Sequence, residues 1–436
     1  MIRKHFAGFA ASALALAVSA QAFAGTVTTD GADLVIKTKG GLEVSTTDKE
    51  FSFKLGGKLQ WDAVMFDGLQ AASQDDAFGS TFNTFIRRGE VTFEGNAYKD
   101  FGYGLRISYD GDEDGTDVDR AFLTYSGLDV VDFTVGRYGV DYGLENTTSS
   151  SWITAIERPF MYDFLNGDED TNFGVHVKHV GANYGVAAQV AHYGEIEDEG
   201  NDERFGYTLR GNFAPYLNGT DVVHLGANFH SARPDDSRAR ARTRMGIRSD
   251  NDDRLVFGDV ASAEKDNEWL LEAGAQFGAL RAQTEYFQRK ISGENGAGAN
   301  ADVDISGYYG QVAYMFGAVR GYKVDGGKWD KPTKAGAVEV FARYENNTVD
   351  GDATAVPTDL NDAGGVAFIQ AADVTDEFDL SAFVVGVNYF PTPAVRLSLD
   401  YTDYQVDNIN TNLVAGDGSQ VEDDGKAITG RLQYVF

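Results

Sequence analysis

Phe51-Ser52-Phe53-Lys54-Leu55-Gly56-Gly57-Lys58-Leu59-Gln60-Trp61-Asp62-Ala63-Val64-Met65 alternates apolar with polar side chains. Successive residues of an extended strand point to opposite faces. Phe51, Phe53, Leu55, Leu59, Trp61, Ala63 and Met65 therefore share one side, and Ser52, Lys54, Lys58, Gln60 and Asp62 the other. The pattern returns in Phe101, Tyr103, Leu105, Ile107 and Tyr109 against Arg106, Ser108 and Asp110. It returns again in Val395, Leu397, Leu399 and Tyr401 against Arg396, Ser398, Asp400 and Thr402. A soluble sandwich would balance such strands with continuous Val, Ile and Leu core strands, and this chain has hardly any. The reading is all-β: a transmembrane antiparallel β-barrel with its apolar faces outward and a polar interior.

About sixteen such segments are counted. They lie near 51–65, 83–96, 98–110, 117–127, 130–138, 171–180, 182–194, 205–213, 221–231, 267–277, 279–290, 303–317, 336–348, 380–390, 394–405 and 426–436. Tight links near Tyr98, Asp129, Gly181, Gly278 and Pro391-Thr392-Pro393 interleave with long polar ones at 139–170, 232–266, 347–379 and 406–425. Short periplasmic turns and long extracellular loops follow this alternation in outer-membrane barrels. The link 318–335 is a long exception on the short side, and the length of 232–266 lets that loop fold back into the lumen. The chain closes on an alternating strand ending in Phe436, which resembles the signal read by the barrel insertion machinery.

Arg3 and Lys4 precede an apolar run from Phe6 to Ala20, with small residues around Ala22-Phe23-Ala24. This predicts a secretory signal peptide, 1–24, ahead of a periplasmic N-terminal segment, 25–50, and a barrel domain, 51–436. Without the signal the chain keeps 35 Lys and Arg against 67 Asp and Glu, a balance that disfavours nucleic acid as a partner. Cysteine is absent, so neither disulfides nor cysteine metal sites hold the fold. No later apolar run is long enough for a spanning helix, and lipid then leaves only a closed sheet.

No catalytic constellation stands out, and neither a cofactor nor a metal is expected. His176 and His179 fall at opposite parity and make a poor metal pair. An outer-membrane enzyme remains an alternative, although no G-x-S-x-G elbow occurs.

The segment Ser237-Arg238-Ala239-Arg240-Ala241-Arg242-Thr243-Arg244-Met245-Gly246-Ile247-Arg248, followed by Arg254, breaks the acidic trend. In extended backbone these alternate arginines lie on one side, roughly 6.5 to 7 Å apart. Such a ladder offers an anion successive bidentate sites, and conduction needs several weak ones. A surface role, neutralising lipopolysaccharide phosphates or Asp250, Asp252 and Asp253, is the competing reading.

Adjacent Arg87 and Arg88 must point to opposite faces of a regular strand, so a bulge turning both inward is expected. Lys37, Lys39, Lys49, Lys54, Lys58, Lys323, Lys328, Lys331 and Lys334 suggest a basic periplasmic mouth.

These residues resemble the phosphate-selective porins of Gram-negative outer membranes, of the OprO and OprP type. The likeness runs through Gly25 to Asp33, Val35 to Val44, Thr47 to Gly57, Phe85-Ile86-Arg87-Arg88, Tyr142-Gly143-Leu144-Glu145 and Ser149 to Arg158. It continues in Arg240 to Arg248, Tyr322 to Gly326 and Arg431 to Phe436. The resemblance implies a homotrimer of sixteen-stranded barrels in the outer membrane, passing phosphate or related anions such as polyphosphate. It implies a ladder of Arg240, Arg242, Arg244, Arg248 and Arg254. Carried over likewise, Arg87, Arg88, Asp119, Ser149 and Ser150 form the constriction with Arg158 below, and Lys37, Lys39, Lys49, Lys54, Lys58 and Lys323 the mouth. Glu90 stands where the family tends to an aromatic, Asn146 and Ser151 where it has lysines, and Gly139 replaces a larger side chain. The two lost positive charges and the added Glu90 would weaken anion binding, and the acidic excess with Glu90 suggests a general or weakly cation-preferring porin as the alternative.

Overall fold

The computed structural model describes residues 26–28, 33–38, 41–69, 81–111, 115–167, 171–193, 204–234, 237–250, 254–295, 298–351, 366–368, 377–408 and 423–436. The expected signal peptide, 1–24, and Lys39 lie outside the described residues. Sixteen strands form the wall: β1 Ser52–Phe66, β2 Thr81–Ala97, β3 Phe101–Asp110, β4 Gly115–Tyr125, β5 Asp132–Arg137, β6 Phe173–Val180, β7 Tyr184–Tyr193 and β8 Arg204–Asn218. The ring continues through β9 Asp221–Arg233, β10 Arg254–Phe277, β11 Leu280–Glu294, β12 Asn300–Phe316, β13 Ala337–Asp350, β14 Phe378–Thr392, β15 Val395–Asp407 and β16 Asp424–Val435. Each pairs antiparallel with its neighbour, and β16 returns to β1, from Ala427 opposite Phe66 to Val435 opposite Lys58. Closure leaves the wall no unpaired edge. Each of the sixteen expected segments overlaps one of these strands.

Burial is inverted relative to a soluble protein. Along β11, Arg281, Gln283, Glu285 and Arg289 are buried while Leu280 and Ala282 are exposed. Leu271, Val312, Phe383, Leu399 and Leu432 likewise face outward. An apolar exterior around a hydrogen-bonded interior is the arrangement that lipid selects.

The structure corrects the expectation in three places. The 232–266 connection is not all loop: β10 runs for 24 residues from Arg254, and its outer half pairs with a short strand, Ser237–Thr243. Asp259, Glu264, Lys265 and Asp266 interrupt the alternation there and hide the strand in the sequence. The long exception on the short-turn rim, 317–336, forms a hairpin of Arg320–Lys323 and Lys328–Pro332 that folds inward. Its Gly326 and Gly327 carbonyls accept from Arg210 of β8, and Trp329 packs with Leu144, Ala214 and Val222.

Third, the interior is not polar throughout: its other half mixes apolar side chains with buried pairs such as Arg289–Asp266. Toward the other rim, Val64 and Phe66 of β1, Phe287 and Ile291 of β11, Val303 and Ile305 of β12, and Val406 of β15 form one apolar cluster. It receives Phe160, Met161, Phe164 and Leu165 of the 138–172 connection and Met245 and Ile247 of the arginine hairpin. Inward apolar side chains are matched to apolar loops, so burial drives both loops into the lumen.

The N-terminal segment runs as Thr26–Thr28, Asp33–Lys37 and Leu42–Thr46, the last pairing with the start of β1. Beside it the backbones of Gly57 and Phe436 exchange two hydrogen bonds of 3.0 Å. A Cβ at Gly57 would lie 2.4 Å from the Glu90 carbonyl and 2.6 Å from the Phe436 ring. Gly57→Val is therefore expected to lower the yield of closed barrel, read as the heat-modifiable fraction on a cold SDS gel. An unchanged fraction would show that the seam tolerates the branch.

Candidate functional site

The neck is built by the 138–172 connection, which crosses the lumen and is fastened to the inner wall through its backbone. Its one-turn α-helix, Leu144–Thr147, presents the Leu144 N–H to Glu285 at 2.6 Å. Asp400 accepts from the Ile156 N–H and Glu345 from the Phe160 N–H, each at 2.6 Å. Glu268 takes the Asn166 and Gly167 N–H groups at 2.9 and 2.6 Å. In the other direction Arg396 donates to the Ile153 and Thr154 carbonyls, Arg431 to Ile156 and Arg343 to Glu157. A buried irregular backbone must place every polar group somewhere, and here the wall's charged side chains take them.

Against this loop stands the expected bulge. Gln60 pairs with Arg88 and Trp61 with Ile86, so Arg87 is an extra residue in β2. It lets both arginines point inward. Arg87 donates to both Asp110 oxygens, at 2.5 and 2.7 Å, and through Nε to Glu157 at 3.1 Å. Arg88 donates to Gln60 at 3.2 Å, with Glu157 at 3.9 Å. Arg431 reaches Glu157 at 2.5 Å while clasping Asp62. Arg248 comes within 4.0 Å of Glu157 and donates to Asp163 at 3.3 Å.

Burial alone would push the Glu157 carboxyl up; the guanidiniums of Arg87, Arg431, Arg88 and Arg248 overcome it and hold the group well below the usual carboxylate range. Because the folded value is depressed, these ion pairs stabilise the loop above about pH 4.3 and fade only as pH falls through the lower folded value.

A second bulge leaves Asp119 as the extra residue of β4, where it pairs with Arg106. Below the neck a cavity of about 220 Å³ is lined by Lys54, Lys58, Glu90, Glu94, Arg106, Ser149 and Ser151 among others. Lys58 donates to the Ser150 hydroxyl at 2.6 Å and pairs with Glu90 at 2.7 Å, and Arg106 lies 3.7 Å from the other Glu90 oxygen.

The arginine hairpin carries Arg238, Arg240 and Arg242 on one face and the buried Ala239, Ala241 and Thr243 on the other. Arg238 holds Asp259 with two bonds, and Arg240 lies 3.7 Å from the same carboxylate. At the tip the Arg244 N–H and Thr243 hydroxyl donate to Asp163, and Arg254 begins β10. The hairpin tip and the neck loop thus share Asp163 and Glu157.

Other expected site residues have different surroundings. Arg158 turns back on its own loop and donates to the Glu145, Asn146 and Thr148 carbonyls. The Ser151 carbonyl accepts from Gln433, and the Ser149 hydroxyl from the Ser151 N–H. At Gly139 a Cβ would run into the guanidinium of Arg120, so the missing side chain's space is filled by an arginine from β4. The lysines do not form one group. Lys54 and Lys58 line the cavity, Lys37 pairs with Glu43 on the N-terminal strands, Lys49 sits exposed in a turn, and Lys323 pairs with Asp330 on the inward hairpin.

His176 packs against the Tyr138 ring, and His179 meets the Val130 carbonyl and Tyr184. Glu157, Arg120 and Arg431 were missed as site residues. Inward strand parity marked Arg106 and Arg431, but a lone loop carboxylate gives no periodic signal.

A family model described as phosphate-selective porin O and P matches residues 53–436. The chain is 40% identical to Porin O of Pseudomonas aeruginosa over the full length of both. Among solved structures, an anion-selective porin from Comamonas acidovorans superposes with a TM-score of 0.52 at 15% identity, covering 89% of this chain and 100% of that one. OmpT of Vibrio cholerae gives 0.52 at 13% identity with 89% and 98% covered. At these identities the structures establish the barrel architecture alone. With the sequence matches, they identify the chain as an outer-membrane channel, not an enzyme, belonging to the phosphate-selective porin O and P family.

Proposed function

We propose that the chain conducts phosphate, or related phosphorylated and polyphosphate anions, by passive diffusion without chemistry or cofactor. Arg240, Arg242, Arg244, Arg248 and Arg254 gather the anion, Arg87 and Arg88 coordinate it at the neck with Ser149, Ser150 and Asp119 around it, and Lys54 and Lys58 receive it below. The observation that carries this reading is the bulge at Arg87, which turns two adjacent guanidiniums into the lumen at the level of the crossing loop. Guanidinium stays charged at any relevant pH and binds phosphate bidentately. Arg158 holds the neck loop in shape, and Glu90, Gly139, Asn146 and Ser151 tune selectivity.

Reversal potentials in a potassium chloride gradient, followed by phosphate titrated as a blocker, test this directly. Anion selectivity with concentration-dependent block is expected. A preference for potassium over chloride would reject it. The acids Glu157 and Asp110 at the neck and Glu90 below it favour a second reading, a general or weakly cation-preferring porin, and the same measurement decides between them.

The assembly implied is a homotrimer in lipid and lipopolysaccharide, inserted by machinery reading the strand that ends at Phe436. One solved form of Vibrio cholerae OmpT, at 12% identity, is a trimer. Migration of the unheated protein at three chain masses is the expected outcome.

A further inference from the structure

We propose that the Glu157 carboxylate is a tethered occupant of the anion site at the neck, which a phosphate must displace in order to pass. The inference rests on the chain being a phosphate channel. Four guanidiniums converge on this side chain: Arg87 and Arg431 on Oε1 at 3.1 and 2.5 Å, Arg88 and Arg248 on Oε2 at 3.9 and 4.0 Å. A carboxylate shows arginine the same two-oxygen edge that phosphate does, so the site is built for an oxyanion and already holds one from the protein.

The two halves of the cradle differ. Arg87 and Arg431 are 3% and 0% exposed and held by Asp110 and Asp62 besides Glu157. Arg88 and Arg248 are 14% and 19% exposed and stand off the carboxylate. An anion descending the arginine hairpin meets Arg248 first and Arg88 next, on the side where Glu157 grips least. Asp163 also faces Arg248, at 3.3 Å, and stays bonded to the Arg244 N–H.

The loop need not move for the exchange. Asp400 fixes the Ile156 N–H, Arg431 the Ile156 carbonyl and Arg343 the Glu157 carbonyl, at 2.6, 2.6 and 3.0 Å. The Glu157 side chain swings about its own torsions while its backbone is pinned. At the guanidiniums one anion replaces another, so they are not left bare during the exchange, and the returning carboxylate helps expel the phosphate. Conduction needs binding of this kind, favourable enough to enter and weak enough to leave.

The test compares wild type, Glu157→Gln and Glu157→Asp of the full chain in planar bilayers, with inorganic phosphate titrated into chloride and single blocking events timed. Glu157→Gln is expected to lower the half-blocking concentration at least ~10-fold, mainly through longer phosphate dwell times. Glu157→Asp, which keeps the charge, is expected to stay within about twofold of wild type. A change of local field alone would show instead as faster association that fades with salt. Heat-modifiable migration of Glu157→Gln on a cold SDS gel, matched to wild type, verifies the folded barrel. Should phosphate block wild type and Glu157→Gln with equal dwell times, the tethered-occupant idea is overturned while the channel reading survives. Absence of block in wild type with strong block in Glu157→Gln would sink the native phosphate reading and uphold the occupant. Absence of block in both removes the two together.

Discussion

Arg87→Gln is expected to abolish phosphate block and carry the reversal potential from the anion toward the cation side. Arg87 is the extra residue of the bulge, clasps both oxygens of Asp110 and reaches Glu157 at 3.1 Å. The amide removes one attraction for the permeating anion, takes from Asp110 the guanidinium that holds both its oxygens, and leaves Glu157 with one cation fewer. At an effective dielectric near 20, two unit charges about 4 Å apart interact by about 4 kcal/mol. A third of that is already close to tenfold, and with the Asp110 charge uncovered as well we expect at least ~30-fold weaker block. The measurement is the half-blocking phosphate concentration with the reversal potential in the same bilayer. Unaltered values in both would place Arg87 outside the permeation path.

Glu90→Gln and Glu90→Phe are expected to act in the opposite sense. Glu90 pairs with Lys58 at 2.7 Å and lies 3.7 Å from Arg106, on the wall of the cavity below the neck. Removing its charge leaves Lys58 and Arg106 to face the anion, and phosphate block should tighten by roughly tenfold. Agreement between the two variants would assign the effect to charge. A gain confined to Glu90→Phe would assign it to shape, and no gain in either would refute the view that this carboxylate weakens the site.

The barrel was legible because its determinant is local. Period-2 alternation in Ser52–Phe66, Phe101–Asp110 and Val395–Asp407 reports each strand independently of the others, and the closing contact from Ala427 to Val435 needs only that the count be right. The bulge at Arg87 was legible for the same reason, since two adjacent charges cannot both suit a regular strand beside lipid.

What was hidden is the filling of the lumen. The outer half of β10 carries Asp259 and Asp266 among buried Val256, Phe257 and Val260, because its inward face meets other protein and not water. The inward hairpin 320–332 and the crossing loop 138–167 likewise answer to partners far away in sequence. Trp329 donates its backbone N–H to the Thr148 hydroxyl, 181 residues distant. The sequence singled out Arg88 and Lys58, which the fold turns toward the lumen. Glu157 was not singled out, since its importance arises only when β2, β16 and the arginine hairpin bring their guanidiniums to one point. Arg158 was placed in the constriction, but a guanidinium near carbonyls of its own loop satisfies them before it satisfies a solute.

The extra residue in β2 also divides that strand into two reading frames. Before it, even-numbered residues face lipid, as Phe82 and Ile86 do opposite Met65 and Trp61; after it, odd-numbered Val91 and Phe93 do, opposite Gly57 and Leu55. Deleting Arg87 outright would rejoin Ile86 and Arg88 as consecutive members of one uninterrupted alternation, with every other side chain keeping its side. A one-residue loss, which in a regular stretch of barrel strand inverts all that follows, leaves the alternation intact here, as it would at the Asp119 bulge of β4.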